Sequence, residues 1–288
     1  MRTIKISMTE VRVPTFVKWA GGKKQLLTQF HKFFPEKIER YFDVFVGGGA
    51  VAFYVIQKYQ PKEVFISDNN KELIDTYEII RDDLDELIKI LKEHKAKHNK
   101  DYFYEIRKQE PESLSKVQRA GRFIYLNKSC FNGLYRVNSK GEFNVPIGSS
   151  EHPAILPEED LRLISKLLKD VTIKHMSFEG ILDYARKGDF VYFDPPYYPL
   201  KKESFTTYTT GKFLQKEQEQ LFEVFKELDK RGCKVMLSNS YTKFTRDLYK
   251  IYKPKNVKAN RMINCIGKKR GKIKEIVVLS YEPPQKEI

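Results

Sequence analysis

The sequence predicts an α/β fold: an open sheet interrupted by a helical insertion. Three observations carry that reading. An apolar run over residues 40–46 leads into Gly47-Gly48-Gly49 and then an apolar helical stretch to Tyr59, giving strand, turn and helix in succession. Residues 63–68 read as a second strand that ends in an acid, Asp68. Residues 190–193, Phe-Val-Tyr-Phe, read as a short, fully buried strand that runs into Asp194-Pro195-Pro196-Tyr197. A continuous α/β alternation would place a third strand soon after Asp68. No strand-like run appears before Val171, so residues 70–155 read as an insertion, and residues 1–69 with 156–288 as the sheet-bearing body.

The 288 residues, 41% hydrophobic and 32% charged, suit a soluble globular chain with one large or two modest domains. No stretch approaches the roughly 20 apolar residues that span a bilayer. Met1-Arg2-Thr3-Ile4-Lys5 leads into no apolar segment, so neither membrane insertion nor a secretory leader is expected. Cys130, Cys233 and Cys265 are too few and too scattered for a disulfide framework or a metal knuckle. The expectation is a cytoplasmic protein without a metal. The net charge of +15 calls for a polyanionic partner, nucleic acid before a membrane surface. A lysine-rich thermophile surface would raise acids alongside lysines. Between Lys243 and Lys274, however, twelve Lys or Arg face the single acid Asp247, which is a patch rather than a balanced face.

Taken in order, Lys18-Trp19-Ala20-Gly21-Gly22-Lys23 joins the only tryptophan to a Gly-Gly turn between lysines, with a helical pattern over residues 24–34. Gly-Gly lets backbone approach a ligand closely; a tight turn with Trp19 as core is the competing reading. The strand, glycine turn and helix around Gly47 would bring backbone N–H groups and a helix N-terminus against a ligand, although the dinucleotide spacing Gly-x-Gly-x-x-Gly is absent. Asp68 is placed either to accept ribose hydroxyls or to cap the following helix.

Residues 71–128 read as helical and heavily charged, with Leu73, Ile74, Tyr77, Ile80, Leu84, Leu87, Ile88 and Leu91 forming a core stripe at three- and four-residue spacings. At the end of the insertion, residues 127–148 hold two short runs around Asn138-Ser139-Lys140-Gly141, a turn sequence that predicts a β-hairpin over about residues 130–147. It carries Arg136 with Lys128 and Lys140 among aromatics and asparagines. A two-stranded ribbon fits the major groove of DNA, and arginine is the commonest bidentate reader of guanine.

The α/β rhythm then returns, with a helix over 158–168, a strand over 171–175, a helix over 178–187 and the 190–193 strand. A Thr- and Tyr-rich loop over 198–211 is long enough to close over a ligand. A helix over 215–231 and a buried strand over 233–238 follow, with a closing antiparallel pair at 251–257 and 275–281.

The two prolines after Asp194 cannot continue a central strand. They fix an acid, a backbone carbonyl and an aromatic ring at a strand's carboxyl end, where open α/β sheets keep ligands. The Asp194 carboxylate and the Pro195 carbonyl can each accept one N–H of an amine on a planar heterocycle, while Tyr197 stacks on the ring.

The order Lys-Trp-Ala-Gly-Gly-Lys, Phe-Val-Gly-Gly-Gly, Phe-Asn-Gly-Leu-Tyr-Arg and Asp-Pro-Pro-Tyr resembles the Dam-type DNA adenine-N6 methyltransferases, the D12 class of the α group, over about residues 14–281. The similarity is closest to GATC-methylating restriction–modification methylases. That resemblance implies a seven-stranded, Rossmann-like S-adenosylmethionine-dependent methyltransferase sheet. Residues 1–69 and 156–288 would be the catalytic and cofactor-binding domain, and residues 70–155 the target-recognition domain. It further implies transfer of a methyl group from S-adenosylmethionine to N6 of a flipped adenine in double-stranded DNA, at GATC. Catalysis would fall to Asp194, Pro195, Pro196 and Tyr197. Cofactor contacts would fall to Trp19, Lys23, Asp43, Phe45, Gly47, Gly49, Asp68, Phe178 and Asp194, and DNA contacts to Lys18, Phe131, Asn132, Leu134, Arg136 and Pro146. A cognate restriction endonuclease would be a functional partner, and the chain a monomer or weak dimer. Two positions depart from the pattern: Asp43 where relatives usually carry Glu, and Ser149 where better-known members carry a basic residue. Rival readings are methylation of RNA adenine, cytosine N4 or a glutamine amide, and a cofactor-binding DNA regulator without turnover; Asp194 favours adenine, and the hairpin duplex DNA.

Overall fold

The computed structural model describes residues 11–199, 213–260 and 272–284. Residues 24–34, expected as one helix, form a 3-10 turn (Lys24–Leu26) and a single α turn, α1 (Leu27–Phe30). Phe30, Phe33 and Phe34 are buried, and the Phe33 and Phe34 N–H groups both bond the Phe30 carbonyl, so turns continue to Phe34, where Pro35 disfavours helical backbone. Strand β1 (Arg40–Asp43) leads through the glycine turn to α2 (Ala50–Tyr59) and β2 (Glu63–Asp68). Residues 71–129 are helical as expected: α3 (Lys71–Asp82), α4 (Leu84–Lys97), α5 (Lys100–Lys108) and α6 (Lys116–Ser129). The first of these, α3, lies against both β2 and the later strand at 171–175, as well as against α6.

After α6 the predicted hairpin is a ribbon pinned at two isolated antiparallel bridges, Cys130 with Ile147 and Val137 with Phe143. Asn138 turns it, its carbonyl accepting the Gly141 N–H at 3.0 Å while its own N–H donates to Glu142. Helix α7 (Glu158–Leu168) and strand β3 (Val171–His175) follow. The helix expected over 178–187 is a 3-10 helix, Phe178–Asp183; Gly180 in its interior lowers the stability of a regular α turn. Strand β4 (Phe190–Phe193), helix α8 (Gln215–Lys230), strand β5 (Lys234–Ser240), helix α9 (Lys243–Leu248), strand β6 (Lys255–Asn260) and strand β7 (Lys272–Leu279) complete the order. The expected strand at 251–257 begins only at Lys255, because Lys253 adopts a left-handed φ of 49° and Pro254 follows it. The expected closing loop lies mostly outside the described residues, as does much of the basic stretch.

The seven strands form one sheet in the order β3-β2-β1-β4-β5-β7-β6. β7 runs antiparallel to both of its neighbours and the other pairings are parallel. Alternation along the strands divides the core into two layers. In β4, Phe190 and Tyr192 face one layer with Phe30, Phe53 and Tyr77, while Val191 and Phe193 face the other with Leu221, Phe225 and Tyr249. Both faces being covered is what lets a parallel sheet carry such continuous apolar runs.

Candidate active site

The chain order reverses between β1 and β4. These adjacent parallel strands pair Asp43 with Tyr192 in register, and the crevice outside their carboxyl ends is the topological switch point where open α/β sheets hold ligands. Asp43 closes β1, and Asp194 follows β4 by one residue. A cleft of about 1440 Å³ opens there. Its walls bring together Trp19, Lys23, Asp43, Phe45, Gly47 and Asp68 with Asp194, Pro195, Pro196 and Tyr197, and with Asn132, Leu134 and Arg136 from the ribbon. The remaining sequence-derived residues, Lys18, Gly49, Phe131, Pro146 and Phe178, stand off its surface.

Asp194 is anchored through one of its oxygens. The Lys23 ammonium, itself buried, lies 2.8 Å from Asp194 Oδ1, and the Ser238 hydroxyl donates to the same oxygen at 2.8 Å. Tyr192 Oη lies 2.9 Å behind Ser238. Both donors therefore converge on one carboxylate oxygen, and no hydrogen bond from a described residue reaches Oδ2 or the Pro195 carbonyl. Burial pushes the Asp194 carboxyl above the usual range, while the Lys23 charge and the Lys23 and Ser238 hydrogen bonds hold it down.

The loop after β4 is shaped by partners that sequence reasoning missed. Gln218 of α8 donates to the Pro196 carbonyl at 3.0 Å and accepts from Asn239 Nδ2 at 2.9 Å. Asn239 in turn accepts the Tyr198 N–H, and Ser240 donates to the Tyr198 carbonyl. The Tyr197 hydroxyl donates to Glu275 Oε2 at 2.7 Å, and Lys23 Nζ sits 4.6 Å from the Tyr197 ring centroid. Ser238, Asn239, Gln218 and Glu275 are all buried. Their signal in the sequence is faint: Ser238, Asn239 and Glu275 are polar residues flanking apolar runs, and Gln218 sits in the wholly polar stretch 215–220.

The glycine turn is held as closely. Gly47, at a φ of 50°, donates its N–H to Asp68 Oδ2 at 3.1 Å and accepts the Tyr77 hydroxyl at 2.8 Å. A Cβ there would come within 2.7 Å of the Trp19 ring, so the tryptophan lies directly on the turn. Asp68 also accepts the Asn70 N–H, and Asn70 rather than Asp68 caps α3 by accepting the Leu73 N–H. Burial raises the Asp68 carboxyl above its ordinary value against those backbone donors. Asp43 is more extreme. It accepts the Tyr41 hydroxyl at 3.0 Å on Oδ2, while its buried Oδ1 has no partner. Burial pushes its carboxyl up to about 8, opposed by the Tyr41 hydrogen bond and reinforced by the charges of Asp194 and Asp68.

The ribbon is fastened to this site. Asn127 accepts the Lys18 N–H at 2.7 Å and donates to the Lys18 and Gly133 carbonyls. The Lys18 chain crosses Gly133 so closely that a Cβ there would meet it at 2.3 Å. Trp19 stacks on Tyr135 at 6.0 Å between centroids, and Tyr135 donates to Glu72. Arg136 Nε donates to Asn144 Oδ1 at 2.6 Å, which aligns the guanidinium along the cleft wall. Phe131 is 42% exposed at the ribbon's start, its N–H bonded to the Pro146 carbonyl. Phe178 lies behind Phe45, stacked on it at 5.8 Å.

Among the described residues no cluster could hold a metal ion, and no helix is long and apolar enough to cross a membrane. Residues 19–263 match the family model for D12 class N6 adenine-specific DNA methyltransferases. The chain is similar to the type II methyltransferase M.MjaIII of Methanocaldococcus jannaschii, 44% identical over 94% of this chain and 100% of that one. It is also similar to the type II methyltransferase M1.LlaDCHI of Lactococcus lactis subsp. cremoris, 40% identical over 96% and 98%. A DNA adenine methylase of Haemophilus influenzae is 35% identical over 92% of each chain.

Proposed function

We propose, from the premise that the chain belongs to the D12 class N6 adenine-specific DNA methyltransferases, that it uses S-adenosylmethionine to methylate a flipped adenine within GATC. The observation that carries this reading is the convergence on Asp194: two donors occupy Oδ1, leaving Oδ2 and the Pro195 carbonyl as a paired acceptor beside the Tyr197 ring.

The residues present fit the cofactor. Asp43 Oδ1 is a buried acceptor lacking a donor, which suits a ligand bearing an amine or hydroxyl. The glycines of the Gly47 turn let Trp19, Phe53 and Tyr77 pack directly on its backbone, which sets the Trp19 ring in the cleft wall beside the turn. Trp19, Lys23, Asp43, Phe45, Gly47 and Asp68 would hold S-adenosylmethionine, with Gly49 and Phe178 supporting the turn and Phe45 from behind. When bound, it supplies an electrophilic methyl group on a sulfonium.

The chain's own residues then do the orienting. An adenine stacked in a duplex is out of reach, so it leaves the helix at a cost of a few kcal/mol, and Tyr197 restores stacking worth roughly 1–3 kcal/mol. Phe131, exposed on the ribbon, is suited to fill the space beside the displaced base. Asp194 Oδ2 and the Pro195 carbonyl accept the two N–H bonds of the adenine amine. That biases N6 toward tetrahedral geometry and frees its lone pair, so alignment is the main contribution. The cleft exceeds the roughly 300–1,000 Å³ of a single small-ligand pocket, which favours two occupants. Arg136 in the wall would read guanine, with Leu134, Asn132, Lys18 and Pro146 forming the rest of the base contacts. The type II names of the relatives favour a cognate restriction endonuclease acting at the same site.

The test is tritiated methyl transfer to duplexes differing only by GATC against GTAC, with the parent and D194A proteins. Transfer to GATC alone, abolished in D194A, is the expected result. Equal transfer to both would discard the GATC assignment, and transfer to RNA but not DNA the choice of substrate.

A further inference from the structure

Glu275 stands out among the buried charged groups. It lies on β7, paired in register with Ser240 of β5, and is 6% exposed. A buried carboxylate persists only where donors or cations compensate its lost hydration. Its hydrogen-bond donor is the Tyr197 hydroxyl, at 2.7 Å. Lys23, 2.8 Å from Asp194 on the other side, lies over the Tyr197 ring at 4.6 Å from the centroid and adds its charge. The phenol is thus tied at its tip while a cation lies against its face.

We propose that Glu275 is a positioning residue for the methyl transfer: by accepting the Tyr197 hydroxyl it holds in place, together with Lys23 against its face, the ring on which the flipped adenine stacks. An aromatic side chain has two rotatable bonds. The oxygen lies on the axis of the outer bond, so tying it to a strand in the sheet restrains the inner bond directly; the outer bond is restrained by the preference of a phenolic O–H for the ring plane and by Lys23 against the ring face, so the ring is oriented before the base arrives. The entropy of ordering it is then paid on folding rather than on binding. Glu275 touches neither substrate nor cofactor in this account, and the inference rests on the methyltransferase reading above.

The experiment compares the parent with E275L, E275Q, Y197F and the E275L/Y197F double variant. It reads single-turnover methyl transfer, S-adenosylmethionine affinity, fluorescence of 2-aminopurine at the target position, and melting temperature. Loss of one hydrogen bond to a charged group corresponds to roughly a tenfold slower transfer in E275L and in Y197F. Cofactor affinity should stay within about twofold and the 2-aminopurine signal should fall. The double variant should be no slower than either single one, because both remove the same contact. E275Q keeps an acceptor and should regain part of the rate. If E275L melts too early to assay, E275Q and Y197F carry the comparison, since both preserve volume. E275L transferring at the parent rate, or losses that multiply in the double variant, would overturn the proposal alone. No transfer by the parent to any duplex would overturn the underlying reading and this one with it.

Discussion

Lys23 and Asp194 form an ion pair between a buried lysine and a half-buried acid, 2.8 Å between Nζ and Oδ1, although they lie 171 positions apart and on different elements. The lysine comes from the Gly-Gly turn before the sheet and the acid from the end of β4. The lysine binds one carboxylate oxygen, and no hydrogen bond from a described residue reaches the other. Breaking such a pair from one side strands a half-buried charge, at up to about 3–5 kcal/mol. K23M should therefore lower the melting temperature and raise the pH at which Asp194 ionises. Methyl transfer at pH 7 should fall by at least about tenfold. Transfer equal to the parent across pH 6–9 would show that Asp194 needs no cation.

Asp43 gives the cofactor-free protein a pH dependence. Its carboxyl is raised to about 8 in the folded state and returns to about 3.9 on unfolding. Between those values the folded chain holds a proton that the unfolded chain releases, so stability falls as pH rises. The slope is at most about 1.4 kcal/mol per pH unit. D43N has no such proton to lose. Urea unfolding from pH 5 to pH 8 should show the parent losing stability relative to D43N; parallel curves would remove the buried proton from the account.

Arg136 carries the sequence-reading prediction. A bidentate contact to guanine discriminates by about 1–3 kcal/mol. R136A should lower the preference for GATC over single-substitution sites roughly 5- to 150-fold, with little change in cofactor affinity. A uniform loss across all sites would reassign the arginine to the phosphate backbone.

Two glycines separate strain from close packing. Gly49 and Gly188 both have positive φ, at 75° and 91°. A Cβ on Gly49 would meet Phe53 at 2.6 Å and the Tyr77 hydroxyl at 2.7 Å, whereas one on Gly188 meets nothing within 4 Å. Both alanine variants carry the backbone penalty, and G49A adds overpacking of about 1–3 kcal/mol. G49A should unfold at clearly lower denaturant than G188A and bind S-adenosylmethionine less well. Equal midpoints would mean that the neighbours of Gly49 yield freely.

Much of this molecule follows from local pattern. The strands at 63–68, 171–175 and 190–193 and the helix at 158–168 lie where periodicity puts them, because an apolar run bounded by turn residues admits few alternatives. The failures are local too. Gly180 and Lys253-Pro254 shortened elements that an apolar count alone extends, since backbone sterics act on single residues while periodicity averages over many.

By itself the sequence determined the α/β class, the motif order, the polyanion-seeking charge, and an acid, a carbonyl and a ring at a strand end. Those depend on neighbours in the chain, where spacing and steric restriction suffice. The tertiary structure decided the rest: that β1 and β4 are adjacent, so that Asp43 and Asp194 share one crevice; that Lys23 and Ser238 both claim Asp194 Oδ1; and that Gln218, Asn239 and Glu275 hold the Asp-Pro-Pro-Tyr loop. Each is a contact between distant segments, set by strand order and register. A buried polar residue shows its purpose only when the group that satisfies it has been brought alongside.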